Sequence, residues 1–349
     1  MARKKLSKSQ RKKIRFAGIL KNKALLGPGS IDILITSQCN IKCLYCTLHS
    51  PFNPNKIKPS CIKWPLLKKI IDSLHEINTD SITISGDGEP WLHPQINQII
   101  NYIKDKDLDL TINTNLTFLS SKILKSFIRA DKLRVNAASL SKNLYCKIHN
   151  TKIESYKNLI RNLEFIKKIF KNHKKDLITI TYIVNKLNYK YFPEMVSSLK
   201  KYGINNIEVE LMEEKKFTKE LSLSNKQLNH FRKIIENTRS NVKINYNLDL
   251  KDNQKMTNQA CYAPHLRSRI EIDGTVAFCC KNENLTIGNI NDSSFKKLWF
   301  SPKAQKIRFL AANNFNLNDS FWEPCLKCDN FSIKRNNLIN KTENTIINE

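Results

Sequence analysis

The sequence IDILITSQCNIKCLYC, residues 31–46, decides the fold of this chain. Its first part, residues 31–36, is apolar and rich in branched side chains, which predicts a β-strand. The strand runs directly into Cys39, Cys43 and Cys46, spaced as Cys-x3-Cys-x2-Cys. Three thiolates this close together can bind three irons of a cubane cluster and leave the fourth iron open to a ligand that is not protein.

A zinc site is the alternative interpretation of this motif. Zinc prefers four ligands, often supplied by paired Cys-x2-Cys units. The loop offers three cysteines, and no fourth ligand stands at a suitable local spacing, although His49 is near. The motif favours an iron-sulfur cluster and leaves zinc open.

Strand and helix patterns alternate beyond the motif. Apolar, branched runs that predict strands recur at residues 81–85, 108–113, 133–137, 177–184 and 206–211. Helical patterns lie between them, at residues 65–77, 94–104, 120–128, 156–170 and 191–202. This alternation predicts an α/β fold with βα units around a parallel sheet, and six units fit a partial (β/α)6 TIM-like barrel.

A second group of cysteines lies near the C-terminus and comprises Cys261, Cys279, Cys325 and Cys328. Asp273-Gly274, between strand-like residues 269–272 and 275–278, predicts a hairpin with a tight turn just before Cys279. Four thiolates from distant segments would hold a small cysteine-rich domain around a fully ligated cluster. Structural zinc remains an alternative, and neighbouring Cys280 could replace Cys279 as a ligand.

Composition narrows the class of protein. The chain has 349 residues, ten cysteines and a formal net charge of +28. Its lysines lie along many predicted helix faces, which favours a solvated basic surface over a nucleic-acid partner and leaves such a partner as the open alternative. We find no apolar run long enough for a membrane span and no secretory signal, so we expect a cytoplasmic protein whose clustered cysteines bind metal.

The first cysteine motif, with aromatic Tyr45 before its last cysteine, resembles the radical S-adenosylmethionine (SAM) superfamily. The resemblance implies a 4Fe-4S cluster whose open iron chelates the amino and carboxylate groups of SAM, with Tyr45 near the adenine. The loop Gly86-Asp87-Gly88-Glu89-Pro90 is similar to the family's GGEP motif, with Asp87 in the place of the first glycine. It is implied to bind SAM as well.

Polar residues at the ends of the next two strands are further candidates for SAM binding, since relatives carry polar residues there. They are Asn113, Asn115, Asn136 and Ser139. Each asparagine could equally cap a helix or occupy a turn.

The C-terminal cysteines resemble the twitch domain, a shortened SPASM domain, which implies one auxiliary 4Fe-4S cluster. The domains expected are a basic N-terminal arm, a radical SAM barrel, a bridging segment, an auxiliary cluster domain and a polar tail, at residues 1–30, 31–212, 213–256, 257–331 and 332–349.

The resemblance implies reductive cleavage of SAM to a 5′-deoxyadenosyl radical that abstracts hydrogen from a substrate. We expect oxidation of a small polar metabolite, sugar-like or cyclitol-like, with the auxiliary cluster as electron acceptor and flavodoxin or ferredoxin as electron donor. Candidate bases at the end of the sixth strand are Glu208, Glu210 and Glu213.

Other functions stay open. Within the superfamily these are modification of a peptide or an RNA, and redox-neutral epimerisation. RNA would need a basic groove with stacking aromatics, which the sequence does not display. Outside enzymes, a zinc-binding interaction module would explain the cysteines but not the six βα units.

Overall fold

A computed structural model describes residues 6–120, 123, 126–169, 177–246, 260–280, 282, 284–313 and 320–327. Cys328 and the predicted polar tail, residues 332–349, lie outside the described residues, as does part of the helix predicted at residues 120–128.

The elements alternate through most of the chain. The helices are α1 Lys8–Leu20, α2 Trp64–Glu76, α3 Ile96–Asp105, α4 Lys142–Ile148, α5 Ile153–Ile169, α6 Phe192–Leu199, α7 Asn225–Asn237, α8 Ala263–Leu266, α9 Phe295–Trp299 and α10 Pro302–Ala312. The strands are β1 Ser30–Leu34, β2 Ser81–Ser85, β3 Asp109–Thr114, β4 Lys132–Asn136, β5 Ile178–Val184, β6 Asn206–Leu211, β7 Lys243–Tyr246, β8 Arg267–Ile270, β9 Thr275–Ala277 and β10 Thr286–Asn289. A 3-10 segment spans Ser320–Lys327.

All of these strands join one ten-stranded sheet in the order β10-β9-β8-β1-β2-β3-β4-β5-β6-β7. The pairs from β8 through β1 to β7 are parallel, and β9 and β10 add antiparallel strands beside β8. Within the described ranges the sheet does not close on itself. The predicted partial barrel is therefore confirmed.

Burial alternates along the barrel strands and separates two faces of the sheet. On β2 and β3, Ile82, Ile84, Leu110 and Ile112 are fully buried and belong to the core shared with the flanking helices. Successive side chains of a strand point to opposite faces, so the polar residues between them face the other side. That face is concave and forms the lumen of the partial barrel, as the cross-strand contacts described below demonstrate.

Helix α1, within the predicted N-terminal arm, packs against the amino ends of the strands. Ser7 and Gln10 form a capping box that starts the helix. Arg11 and Arg15 are buried and form ion pairs with Asp80, the residue before β2. The helix therefore lies at the end of the barrel opposite the cysteine loop, which follows the carboxyl end of β1.

Two strands link the predicted bridge and C-terminal domain to the barrel. Strand β7 pairs with β6, and β8 pairs with β1, so the sheet continues through both segments. The C-terminal hairpin exists, but its turn is longer than the predicted two-residue turn. Glu271 still pairs with Thr275, which leaves a three-residue loop ending at Gly274 with φ +90°. A left-handed glycine in the last position is usual for such loops.

No helix within the described ranges is long and apolar enough to cross a membrane.

Candidate cofactor site at the carboxyl ends of the strands

The first cysteine loop is held in place by its own apolar residues. Ile41, Cys43 and Tyr45 are buried in a small cluster together with Ala138 and Ile148, which lie beyond the end of β4 and in α4. The loop therefore packs across the mouth of the barrel instead of projecting into solvent.

Each cysteine of this loop accepts a hydrogen bond at sulfur. The backbone amides of Leu48 and His49 donate to Cys46 Sγ at 3.5 Å and 3.2 Å. The Nδ1 atom of His149 lies 3.0 Å from Cys43 Sγ. Asn115 Nδ2 lies 3.9 Å from Cys39 Sγ, at the outer limit for a bond to sulfur.

These contacts suit sulfurs that carry negative charge. Burial raises the pKa of the Cys39 thiol to about 11 and raises that of Cys43 as well, so without iron both sulfurs hold their protons. Metal binding requires thiolates and releases those protons. Hydrogen-bond donors aimed at the sulfurs then stabilise the ligated thiolates. The three cysteines thus fit a cluster with three thiolate ligands.

The same loop does not gather ligands around one ion. Among the described residues, no three His, Cys, Asp or Glu side chains converge on a point where a single metal ion could bind. The thiolates of a cubane each bind a different iron, so they need not converge in this way.

The loop after β2 docks tightly against the cysteine loop. A Cβ added to Gly88 would lie 2.1 Å from the carbonyl oxygen of Gln38, the residue before Cys39. The amide of Glu89 donates to that same oxygen at 2.7 Å. The φ angle of Gly88 is not in the left-handed region, so backbone conformation does not demand glycine here. Glycine is required because the two backbones touch and leave no room for a Cβ.

Asp87, which replaces a glycine of the family motif, is accommodated by this backbone. It has no left-handed φ, and its carboxylate lies 3.6 Å from Arg269 Nη2. Its carbonyl oxygen contacts His49 Nε2 at 2.7 Å. Burial raises the pKa of the Asp87 carboxyl, and the nearby Arg269 opposes that rise.

Glu89 is buried and points back to the end of β3. It accepts hydrogen bonds from Thr114 Oγ1 at 2.6 Å and from the amide of Asn115 at 2.7 Å. Burial raises the pKa of Glu89 to about 7 despite these donors. The Glu89 carboxylate therefore connects the β2 loop to the end of β3. A role in SAM binding stays a prediction for Glu89, for buried Pro90 and for Gly86.

The remaining residues predicted to bind SAM line the mouth of the barrel. Tyr45 donates from its hydroxyl to Asn136 Oδ1 at 2.8 Å, which joins the cysteine loop to the end of β4. Asn113 Oδ1 is buried and has no hydrogen-bond partner among the described residues, so a polar ligand atom would satisfy it. Ser139 instead accepts from the amide of Ser141, the N-cap of α4, at 3.0 Å and so stabilises the turn before that helix.

The three candidate bases occupy different environments. Glu208 lies on the lumen face of β6 with Arg134 Nη2 at 2.5 Å, and its side chain is 18% exposed. Glu210 is exposed, two residues further along the same strand. Glu213 pairs with Lys215 at 2.8 Å and is 44% exposed. Only Glu208 of the three is enclosed by the barrel.

Charged residues line the lumen below this mouth. Asp32 on β1 interacts electrostatically with Arg134 on β4 and with Arg269 on β8. Strands β2 and β3 separate β1 from β4 in the sheet, so the interaction with Arg134 crosses the concave face. Burial raises the pKa of Asp32, and the arginines oppose that rise.

The cysteines of the second group lie on separate segments of the chain. Cys261 is anchored by its amide, which donates to Ala311 of α10 at 2.7 Å, and Cys279 follows β9. Buried Cys325 accepts from Asn282 Nδ2 at 3.2 Å. Cys280 is exposed, while Cys279 packs against the core.

A buried cation lies between two of these segments. Arg308 is fully buried, and its guanidinium stacks on Phe278 and Trp299 at 5.0 Å and 4.2 Å. Its two terminal nitrogens have no hydrogen-bond partner among the described residues, and burial lowers its pKa to about 9. An anionic four-thiolate cluster in this domain would compensate that charge, so the residues present fit such a group.

The sequence did not point to His149, Arg134 or Asn282, which contact the predicted site residues. Each is a single polar residue in an otherwise ordinary stretch, and His149 lies 106 residues beyond Cys43. The position of Arg134 on the polar face of a predicted strand was the one signal available for it.

A thiol-rich loop over the mouth of a parallel barrel, followed by a second cysteine group, is the arrangement of an iron-sulfur enzyme. The family model of the radical SAM superfamily matches residues 33–199, and that of the SPASM iron-sulfur cluster-binding domain matches residues 261–329. The chain belongs to the radical SAM superfamily and carries a C-terminal SPASM domain. Its cofactors, as the two family models imply, are 4Fe-4S clusters and SAM.

Solved structures share the fold at low sequence identity. Streptococcus suis SuiB bound to S-adenosylmethionine has a TM-score of 0.68 and 15% identity, covering 90% of this chain and 75% of that one. SuiB bound to its precursor peptide SuiA has a TM-score of 0.67 and 18% identity, covering 92% and 73%. The protein anSMEcpe with bound AdoMet has a TM-score of 0.58 and 20% identity, covering 86% and 85%.

These curated relatives match smaller parts of this chain than the solved structures do. A cofactor-modifying protein for the tungsten-containing aldehyde ferredoxin oxidoreductase of Pyrococcus furiosus is 27% identical over 49% of this chain and 48% of its own length. An uncharacterised protein of Methanocaldococcus jannaschii is 26% identical over 78% of this chain and 92% of its own. This chain thus spans about half of the first relative.

Proposed function

We propose that this radical SAM enzyme oxidises a small polar substrate, sugar-like or cyclitol-like in chemistry, that binds in the lumen of the barrel. The main support for the proposal is that charged side chains line the lumen. Arg134 interacts with both Asp32 and Glu208 on the concave side, two residues before Asn136, which contacts Tyr45 at the mouth. Partly buried charges of both signs suit a substrate with several hydroxyl or amino groups.

Cys39, Cys43 and Cys46 would hold the first cluster, and Cys261, Cys279, Cys325 and Cys328 the auxiliary one. When bound, the first cluster and SAM supply abstraction of a hydrogen atom from a C–H bond, and the auxiliary cluster supplies an electron acceptor. The protein's own task is to orient the target C–H bond, exclude water and remove a proton.

Glu208 is the proposed proton acceptor. A two-electron oxidation removes a proton and an electron after the hydrogen atom has left, so a base must lie beside the substrate. Glu208 is enclosed in the lumen, and the Arg134 ion pair at 2.5 Å fixes its orientation. Glu213, which is more exposed and paired with Lys215, serves as the matched control.

The first experiment is anaerobic incubation with SAM and dithionite, followed by measurement of 5′-deoxyadenosine. Perdeuterated cyclitols, aminocyclitols and sugars are then added one at a time. The substrate is the compound that raises the yield and transfers deuterium into 5′-deoxyadenosine. If no compound of this class does so, the proposed substrate class is wrong.

With a substrate in hand, Glu208→Gln should lower product formation about 100-fold or more while SAM cleavage continues, as expected for loss of a general base. Glu213→Gln should retain the parental rate. Equal rates in both variants would refute the role of Glu208.

Peptide modification is the second candidate, supported by solved relatives of this fold that contain peptides. SuiB was solved with its precursor peptide SuiA, and anSMEcpe with the Cp18Cys and Kp18Cys peptides. The same assay separates the two candidates, because deuterium transfer from labelled peptides alone would favour the peptide reaction.

A further inference from the structure

His149 occupies a buried position behind the first cysteine loop. It follows the last residue of α4, and its side chain is completely buried. The imidazole stacks on Tyr145 with ring centroids 4.3 Å apart and meets the edge of Tyr45 at 5.9 Å. These contacts hold the ring plane in one orientation.

Both ring nitrogens of His149 have a partner, and the partners fix the tautomer. Nε2 lies 3.0 Å from the backbone amide of Ala138. A backbone amide can only donate, so Nε2 must be the unprotonated nitrogen. The single ring proton of the neutral imidazole then resides on Nδ1, which faces Cys43 Sγ at 3.0 Å.

The charge state follows from the same contacts. An imidazolium would carry a second N–H at Nε2, which would meet the N–H of Ala138 at 3.0 Å, so the ring is neutral. The tautomer itself follows from the Ala138 amide and would be the same at any pH at which the ring is neutral.

We propose that His149 is a positioning residue of the first cluster, donating a hydrogen bond from Nδ1–H to the sulfur of Cys43 and thereby stabilising the reduced cluster. The inference rests on the cluster assignment of the proposed function. A hydrogen bond to a ligating sulfur is worth more when the cluster carries an extra electron, because more negative charge then lies on the sulfurs. Its loss should make the cluster harder to reduce.

The Ala138 amide connects the hydrogen bond between His149 and Cys43 to the barrel. Ala138 follows the end of β4, two residues after Asn136, whose side chain accepts from Tyr45. The chain of contacts runs from the β4 end through the His149 ring to the cysteine loop. Placement of the β4 end therefore sets the direction of the hydrogen bond to Cys43.

The test compares three variants of the reconstituted full-length enzyme. His149→Phe keeps the ring volume and the stacking on Tyr145 but removes both nitrogens. His149→Gln restores an N–H donor. His93→Phe is the control, because His93 is also buried and bonded at both ring nitrogens, to Ile62 O and the Gln95 amide, without touching a cysteine.

The readout is the midpoint potential of the cluster whose electron paramagnetic resonance signal changes on SAM addition. At a fixed applied potential, His149→Phe should lower the ratio of reduced to oxidised cluster about tenfold, which is about 59 mV for a one-electron couple. His149→Gln should recover part of that change, and His93→Phe should leave the potential unaltered. An unchanged potential in His149→Phe with the cluster present would overturn the proposal.

A second measurement does not depend on the folding of any variant. Wild-type enzyme labelled with 15N only in the imidazole rings of histidine, so that the His49 backbone amide beside Cys46 carries no label, is reduced and studied by pulsed electron paramagnetic resonance. A weak coupling from one histidine nitrogen is the expected result for a hydrogen bond through sulfur. A strong coupling would make the histidine an iron ligand, and no coupling would remove it from the cluster; either result contradicts the inference.

If the cluster assignment itself is wrong, the wild-type enzyme will contain no SAM-responsive iron signal. Failure of the cluster assignment and failure of the His149 inference are therefore distinguishable. The His149 inference can fail only in protein that has a SAM-responsive iron signal.

Discussion

The two cysteine sites of this chain are built in opposite ways. The first takes all its predicted ligands from one loop, residues 39–46, while the second draws them from Cys261, Cys279 and a segment around Cys325. A buried acid, Glu89, anchors the surroundings of the first site, and a buried base, Arg308, lies in the domain of the second. The first site is thus specified locally, whereas the second depends on the tertiary fold of its domain.

The largest effect is expected from Cys46→Ala, which attacks the local site. Two thiolates cannot hold a cubane with one free iron, so 5′-deoxyadenosine formation should fall to background and iron content by about one cluster per chain. Cys146→Ala is the control, since Cys146 packs against the core within α4. Undiminished 5′-deoxyadenosine formation in Cys46→Ala would refute the ligand assignment.

Cys325→Ala should separate the two sites. SAM cleavage should continue because the first cysteine loop lies on the barrel, but completed product should be lost along with about one cluster of iron. Exposed Cys280 provides the control, and Cys280→Ala should retain iron and turnover. Parental turnover without the auxiliary cluster would favour a redox-neutral reaction such as epimerisation.

Gly88→Ala tests the docking of the β2 loop on the first cysteine loop. The added Cβ would overlap the Gln38 backbone, so we expect at least a tenfold loss of SAM affinity, about 1.4 kcal/mol, with iron retained. Gly29→Ala is the matched control, because a Cβ there meets its nearest atom at 3.6 Å. Affinity is measured by equilibrium dialysis, and equal affinities for both variants would contradict the prediction.

The smallest effect concerns the buried acid of the first site. Because the pKa of Glu89 is about 7 in the folded chain against 4.5 ordinarily, the folded state binds this proton more tightly than the unfolded state does. The free energy of unfolding should therefore fall as pH rises through this interval, by about 1 kcal/mol between about pH 6 and about pH 8. Urea unfolding followed by circular dichroism measures it.

The Glu89→Gln variant lacks the titratable carboxyl group, so its free energy of unfolding should change less over the same pH interval. The relevant quantity is the difference between the two pH slopes, since other groups titrate in both proteins. Identical slopes would show that Glu89 is already ionised in the folded chain below pH 6.

Much of the barrel was predictable because strand residues alternate with amphipathic helices. The predictions at residues 81–85 and 206–211 coincide with β2 and β6. Strand pairing was harder, because periodicity reveals which face of a strand is buried but not its neighbour. Thus residues 269–272 are predicted as strand-like, yet the pairing of β8 with β1 and that of β7 with β6 emerged only from the structure.

The candidate site was likewise predictable only in part. Cysteine spacing predicts ligands because cluster geometry limits how far apart thiolates can lie. The side-chain hydrogen bonds to their sulfurs come from Asn115 and His149, which no spacing rule connects to the loop. Likewise the motif predicts that Glu89 binds SAM, but only the structure reveals that its carboxylate accepts from Thr114 and the Asn115 amide.

The pairing of β8 with β1 has a consequence for biosynthesis. Strand β1 leads into the cysteine loop, yet one of its two neighbours, β8 at Arg267–Ile270, is synthesised after the rest of the barrel. Contacts between residues so far apart in sequence form late, and until then one edge of β1 offers unpaired backbone groups to other chains. The strand that leads into the cysteine loop therefore keeps one open edge until the C-terminal domain has been synthesised, which makes the nascent chain most prone to aggregation at that stage.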